Sequence, residues 1–480
     1  MTVFLSILAY ICILLIFSKI TTRKAGNDTF FMADRNSSWR MVAFGMVGAS
    51  ISGVTLVSVP GMAGKTDMTY LQTCLGFIAG YFVIAYVLLP VYYKRNLTTI
   101  YTYLRNRFGK QTYLTGAWFF ILSKITGAAV KFFIVCIILQ TFTMDALGIP
   151  FPMTVAGLTA LIWLYTRRGG IKTLVWTDSF QTLCILTALI LIIVNVIQAL
   201  GLNFSQTCRL IAESPHSRVF VFDDWLSTQN FWKQFISGMF ITIVMTGLDQ
   251  DMMQKNLTCK NLKEAQKDMR AYGFAFLPIN LLLLSLGILL MALAHKQGLP
   301  LPASGDELLP MFAATGRLGH AVILFFTIGI VAASFSSADS ALTALTTSYC
   351  VDIRQKPDDV KLRKRAHIGM ATAFAAIIIV FKAVNSTSII DAVYILCSYT
   401  YGPLLGLFAY GLLTKRAAAD RLVPYIAIAS PLLCYAADQT ATALWGYKFG
   451  YELLLLNGLI TFAGVALSGK AQRSKMHKAA

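Results

Sequence analysis

Apolar runs of membrane-crossing length alternate with short polar connections along nearly the whole chain. They predict spans at 3–19, 39–64, 70–93, 114–144, 150–166, 175–200, 233–253, 271–295, 319–349, 367–384, 388–413, 422–440 and 449–468. The expected class is an all-α integral membrane protein of about 13 transmembrane helices. Two runs are interrupted by small and polar residues. The second carries Gly48, Ser50, Ser52, Gly53 and Thr55 at its middle, before Pro60. The seventh carries Thr242, Thr246 and Gly247, and then Asp249 and Asp251 at its end. Small residues permit close helix packing. They also mark unwound segments, whose freed carbonyls can bind a cation and whose half-helix ends can face a substrate. The two interrupted runs lie five spans apart. Paired broken helices at matching positions point to a transporter of two inverted five-span halves, 39–200 and 233–413. The symmetry is one of hydropathy; no letter-by-letter repeat accompanies it.

The ninth run holds the densest polar cluster. Ser334, Ser336, Ser337, Asp339 and Ser340 fall within seven residues of an apolar helix. Lipid cannot solvate them, so they must face protein, water or an ion. Hard oxygens without Cys or His suit Na⁺, Mg²⁺ or Ca²⁺. A hydroxyl can instead bond back to its own helix.

Composition agrees with a membrane location. The 480 residues are 56% hydrophobic and 13% charged, where a soluble domain carries roughly a quarter charged residues. The net charge of +19 is distributed as topology requires rather than as a nucleic-acid surface. Connections on one side hold 31 Lys and Arg, and those on the other hold 8. The positive-inside rule then puts the C-terminus in the cytoplasm and, with an odd span count, the N-terminus outside. A bacterial inner membrane is compatible with this. The first run lacks a basic start and a small-residue cleavage site, and it is followed by Lys19, Arg23 and Lys24. It reads as an anchor helix, not a cleaved signal. The nine cysteines lie mostly in apolar runs without paired spacing and imply neither a disulfide frame nor a zinc site. The chain divides into an extra helix and inner loop (1–38), the two halves, an external loop between them (201–232), and two extra helices with a basic tail (414–480). Phe222-Asp-Asp-Trp-Leu-Ser227 is a candidate interfacial helix in that external loop. No metalloprotease, nucleophile-elbow or phosphate-loop motif argues for an enzyme. The five histidines read as lying near span ends or in loops. No organic cofactor, nucleic acid or obligate protein partner is indicated.

Several stretches together resemble the sodium/solute symporters, which include bacterial sodium-coupled sialic acid and galactose carriers. They are Asp67-Met-Thr-Tyr70, Gly169-Gly-Ile-Lys-Thr-Leu-Val-Trp-Thr-Asp-Ser-Phe-Gln181, Gly247-Leu-Asp-Gln-Asp-Met-Met-Gln-Lys255 with Glu264-Ala-Gln-Lys267, Ala332-Ala-Ser-Phe-Ser-Ser337 with Asp352-Ile353, and Gly402-Pro-Leu-Leu-Gly-Leu-Phe408. The resemblance runs over about 1–420. It implies a leucine-transporter-type fold: ten core helices in two inverted repeats, one helix before and two after. It also implies a sodium site made by the carbonyls of Gly48, Ile51 and Ala333 and the hydroxyls of Ser336 and Ser337. A second cation site is implied at Asp178, Ser336, Asp339 and Ser340. Asp339 stands where the sialic acid carriers have a serine. It can strengthen that site, take a proton, or pair with a lysine. Lys124 and Lys131, on one face of the fourth span, are the candidate partners.

The substrate is expected among Ser52, Thr55, Gln72, Thr73, Lys131, Thr242, Thr246, Ser398 and Tyr399. The arginine that holds the sialic acid carboxylate in relatives aligns near Gly127, and the galactose carriers' polar set is absent. Neither relative's specificity carries over, so the expected solute is left open as a sugar, sialic acid or other organic anion, and Lys131 tilts the reading toward the anion. The expected function is sodium-coupled symport by alternating access. A proton-coupled symporter using Asp178 or Asp339, a substrate sensor, or a sodium-leak channel would be the alternatives.

Overall fold

The computed structural model describes residues 2–21, 26–384, 389–447 and 449–479. Arg23, Lys24 and Lys448, which enter the charge pattern above, lie outside the described residues. Among the described residues the chain is helical, without a named strand; an isolated bridge joins Ser37 to Cys259. The principal helices are α1 (Thr2–Thr21), α2 (Trp39–Ser50), α3 (Gly53–Thr66), α4 (Tyr70–Lys94), α5 (Lys110–Leu139), α6 (Phe151–Gly169), α7 (Ile171–Leu200) and α8 (Phe231–Gly247). They continue with α9 (Gln250–Asn256), α10 (Leu262–Lys296), α11 (His320–Ile353), α12 (Val360–Val384), α13 (Ile389–Leu413), α14 (Val423–Trp445) and α15 (Leu453–Ala479).

Among the described residues, six helices (α4, α5, α7, α10, α11 and α12) are long and apolar enough to cross a membrane, or up to eight spans if each of the bent pairs α2–α3 and α8–α9 is one. The predicted spans at 3–19, 150–166, 388–413, 422–440 and 449–468 fall on α1, α6, α13, α14 and α15, outside that set. α11 is buried around nearly its whole circumference from Phe326 to Ser348, so it is the central helix. α7, α5 and α1 pack around it.

Both interrupted runs are bent. Between α2 and α3 the axis turns by 61°. Ile51 leaves helical geometry at φ −78°, ψ 77°. The Ser52 N–H goes to Ser50 O at 2.9 Å and so is not spent on the carbonyl of Gly48 four residues back. Ser52 then starts α3 by accepting the N–H of Thr55. Glycine is required on both sides of the break. A Cβ on Gly48 would lie 2.0 Å from Thr182 Oγ1 on α7, and one on Gly53 would lie 2.4 Å from Ser334 Oγ on α11. These close approaches seat the break against the helices that carry Asp178 and the serine cluster.

Between α8 and α9 the axis turns by 71°. Asp249 stops the first helix and caps the second, accepting the N–H groups of Asp251 at 2.8 Å and Met252 at 3.4 Å. The carbonyls of Gly247 and Leu248 accept the hydroxyls of Tyr92 and Tyr101, each at 2.9 Å.

Two sequence expectations are corrected. Phe222–Ser227 is not a helix: Asp224 Oδ1 accepts the N–H groups of Leu226 and Ser227, a local turn that competes with helix formation. The helix in this connection is Phe204–Glu213. His367 lies within α12 and is buried, bonded to Thr166 and Thr346 at 2.9 Å each. Its polar partners on α6 and α11 match it in the interior.

Candidate functional site

A cavity of about 150 Å³ opens at the α2–α3 break. This is roughly ten times the space that one water needs. Ala49, Ser50, Ser52 and Thr55 line one wall, and Tyr70, Phe77 and Tyr81 of α4 another. Ser123, Lys124, Gly127 and Lys131 come from α5, and Thr242, Thr246, Asp249 and Asp251 from the second bent pair. Tyr272 and Phe276 of α10, Ser337 of α11 and Tyr401 of α13 close it. Both helix breaks and the serine cluster therefore contribute to one space. An apolar and aromatic wall with a few convergent polar groups is the form of a small-molecule site.

One side of the cavity is an ion-pair network. Lys124 Nζ lies 3.1 Å from Asp249 Oδ2 and 2.7 Å from Asp251 Oδ2. The Tyr401 hydroxyl donates to Asp249 Oδ2. Asp251 Oδ1 is buried without a hydrogen-bond partner. The charges placed inside the span by the α8–α9 break are thus matched by a lysine from α5.

Neighbouring serines of α11 face different partners. Ser337 Oγ donates to Ala49 O at 3.2 Å across the α2–α3 break and to Ala333 O at 3.3 Å in its own helix. Ser336 Oγ, about 100° further round the helix, donates to Asp178 Oδ1 of α7 at 2.7 Å. Asp178 Oδ2 lies 2.7 Å from Lys255 Nζ of α9, with both side chains buried. Asp339 Oδ2 accepts the Tyr165 hydroxyl at 2.6 Å, and Ser340 Oγ approaches its Oδ1 at 3.3 Å.

The structure thus separates the expected sodium ligands. Gly48, Ile51, Ala333 and Ser337 belong to the neighbourhood of the α2–α3 break, whereas Ser336 is turned to Asp178. Of the alternatives for Asp339, a pair with Lys124 is not the one formed. Lys124 is spent on Asp249 and Asp251, Lys131 lines the cavity, and the lysine of this region is Lys255, which takes Asp178. Burial demanded polar partners for Asp339, and the Tyr165 and Ser340 hydroxyls supply them.

Of the expected substrate residues, Ser52, Thr55, Lys131, Thr242 and Thr246 line the cavity. The other four have different surroundings. Gln72 donates to Gln229 O at 2.9 Å and accepts the N–H of Val221 at 3.1 Å, pinning the connection 201–232. The Thr73 hydroxyl donates to Gln234 Oε1. The carbonyls of Ser398 and Tyr399 accept from Asn457 Nδ2 of α15 at 2.9 and 3.1 Å, and the Tyr399 ring lies beside Tyr435 of α14. Tyr401, two residues further on, reaches the cavity instead. Ser123, Tyr401, Asp249 and Asp251 were not among the expected substrate residues. Charges inside apolar runs were the available signal for the two aspartates.

Comparison with known proteins places these features in a family. Residues 30–420 match the family model described as the sodium:solute symporter family. The sodium/sialic acid symporter NanT of Aliivibrio fischeri is 26% identical over 437 residues, spanning 88% of this chain and 83% of that protein. The sodium/sialic acid symporter SiaT of Proteus mirabilis is 24% identical over 415 residues, spanning 84% and 82%. Among solved structures, a Na⁺-coupled sialic acid symporter in a substrate-bound outward-open state superimposes with a TM-score of 0.84, at 20% identity and 98% coverage of both chains. Mhp1, a nucleobase-cation-symport-1 family transporter, superimposes at 0.56, with 14% identity and 94% coverage of both. At these identities the structural likeness speaks for the fold alone.

Proposed function

The chain belongs to the sodium:solute symporter family, is an integral membrane protein and is not an enzyme; from that premise we propose that it imports a small polar solute by sodium-coupled alternating access. The observation that carries this reading is Ser337, which faces the Ala49 carbonyl where the α2–α3 break meets both α11 and the cavity. In the proposed arrangement the Ser337 hydroxyl and the carbonyls of Gly48, Ile51 and Ala333 bind sodium. Ser336 joins them only by giving up Asp178. Neutral oxygens suit a monovalent ion that must be released in every cycle, whereas several carboxylates suit a divalent ion.

The proposed fold is leucine-transporter-type, with about 13 spans, inverted halves at 39–200 and 233–413, the N-terminus outside and the C-terminus cytoplasmic. It would lie in a bacterial inner membrane. The solute would contact Ser52, Thr55, Lys131, Thr242 and Thr246. Sialic acid carriers among the relatives, and Lys131 in the cavity wall, favour a carboxylate-bearing sugar or another organic anion. Sodium and solute would share the α2–α3 break, so each would favour binding of the other. Each net charge moved inward supplies about 2.3 kcal/mol per 100 mV, or roughly fiftyfold accumulation.

Thermal unfolding of the purified protein in sodium and in choline chloride, across sugars, sialic acids, amino acids and carboxylates, tests the proposal. A ligand that binds the folded state raises its stability. A solute that stabilises only with sodium supports coupling and identifies the substrate class. If neither sodium nor any solute with sodium has an effect, the sodium reading fails and Asp339, whose named partners are the Tyr165 and Ser340 hydroxyls, leads as a proton site.

A further inference from the structure

Asp178 has the chemistry of a cation ligand. It is buried at 1% exposure on α7, Ser336 points a hydroxyl at its Oδ1, and the Asp339 carboxylate is carried on the same helix as Ser336. Assigning the Gln181 amide by its partners adds an N–H donor 3.2 Å from Asp178 Oδ1. The place beside Asp178 Oδ2 is taken by the Lys255 ammonium at 2.7 Å, itself buried at 2% exposure. The two groups meet as a close ion pair inside the protein. The ammonium is held as a point charge, much as a bound alkali ion would be.

We infer that Lys255 is a tethered cation that fills the would-be second cation site at Asp178, so that the protein binds one sodium ion rather than two. The inference rests on the sodium-coupled reading and sets its stoichiometry. A sodium ion added at Asp178 would stand beside a like charge that already sits against the Asp178 Oδ2. In a water-poor interior that repulsion is far stronger than in bulk solvent. The remaining nearby carboxylates have their own partners: Asp251 is paired with Lys124, and Asp339 accepts from Tyr165 and Ser340. Lys255 lies on α9, the second piece of the second bent pair; its partner Asp178 lies on α7 and is bonded in turn to Ser336 of α11. The charge that replaces an ion therefore also ties this half-helix to the helices around the first sodium site.

Equilibrium binding of radioactive sodium to the purified full-length protein tests this, with sodium itself as the probe. The expected result is one ion per wild-type chain and two for Lys255→Ala. The second ion should be lost again in Lys255→Ala/Asp178→Asn, and the first should be lost in Ser337→Ala. Two ions on the wild type, or one on a folded Lys255→Ala, overturn the inference while leaving sodium coupling intact. No ion on the wild type overturns the sodium reading and this inference with it. Should Lys255→Ala not fold, the wild-type count and Lys255→Arg decide. Both should hold one ion, and two on either overturns the inference.

Discussion

Ser336 donates to Asp178 across the α11–α7 interface at 2.7 Å, while Ser337 beside it donates to the carbonyl of Ala49. One turn of one helix thus serves two distinct polar neighbourhoods. The first is built around a carboxylate that already has its cation. The second is built around neutral oxygens at a helix break.

Ser337→Ala removes the hydroxyl from the neutral neighbourhood and leaves Asp178, Lys255 and Ser336 untouched. Sodium at a hundredfold its dissociation constant stabilises a folded protein by about 2.7 kcal/mol. That increment should vanish in the variant, with the unfolding temperature in choline unchanged. Sodium titration of thermal unfolding measures both.

Lys124→Met leaves Asp249 and Asp251 buried without their shared cation. Breaking a buried pair from one side costs about 3–5 kcal/mol. The unfolding midpoint should fall accordingly in both sodium and choline, because the loss is structural and independent of the ion. Lys124→Arg should recover part of the loss.

Gly48→Ala drives a methyl into Thr182, whose Oγ1 would lie 2.0 Å from the new Cβ and whose Cα would lie 3.0 Å from it. Overpacking of this kind costs about 1–3 kcal/mol. Thr182→Ala removes the hydroxyl clash but not the backbone approach, so the double variant should recover only part of the stability. A thermal double-mutant cycle reads the coupling.

Thr242→Val and Gln72→Ala separate the cavity from its surroundings. Thr242 lines the cavity, so its variant should weaken solute-induced stabilisation by about tenfold in apparent affinity, roughly the 1.4 kcal/mol of one hydrogen bond. Gln72 joins α4 to the connection 201–232. Its variant should lower the unfolding temperature and leave solute affinity within twofold.

Much of this architecture was legible because bilayers impose blunt rules. Apolar length located the helices, and glycine with hydroxyl residues located both bends. The serine run on α11 pointed to the polar heart of the molecule. Side-chain direction was harder to read. Ser336 and Ser337 are adjacent in sequence and were expected to share one ion, yet helical rotation sends them to different partners. Ser398 and Tyr399 were expected at the cavity, while Tyr401 is the residue that reaches it. Lys255 was visible within a motif, but its pairing with Asp178 depends on how α9 folds back after the bend. A bend fixes no direction in one dimension, so that partner could not be read from spacing.

The two bends are alike in shape and opposite in what they offer. At the second, Tyr92 and Tyr101 plug the carbonyls of Gly247 and Leu248 with hydroxyls from the protein itself. At the first, the Ser52 N–H turns away from Gly48, and Ala49 O meets only the long contact from Ser337 among its named side-chain partners. One joint is sealed and the other is a socket. In the proposed chain of two matching halves this would be a division of labour: the sealed joint would transmit movement without attracting an ion, and the socket would attract one without a second copy competing for it.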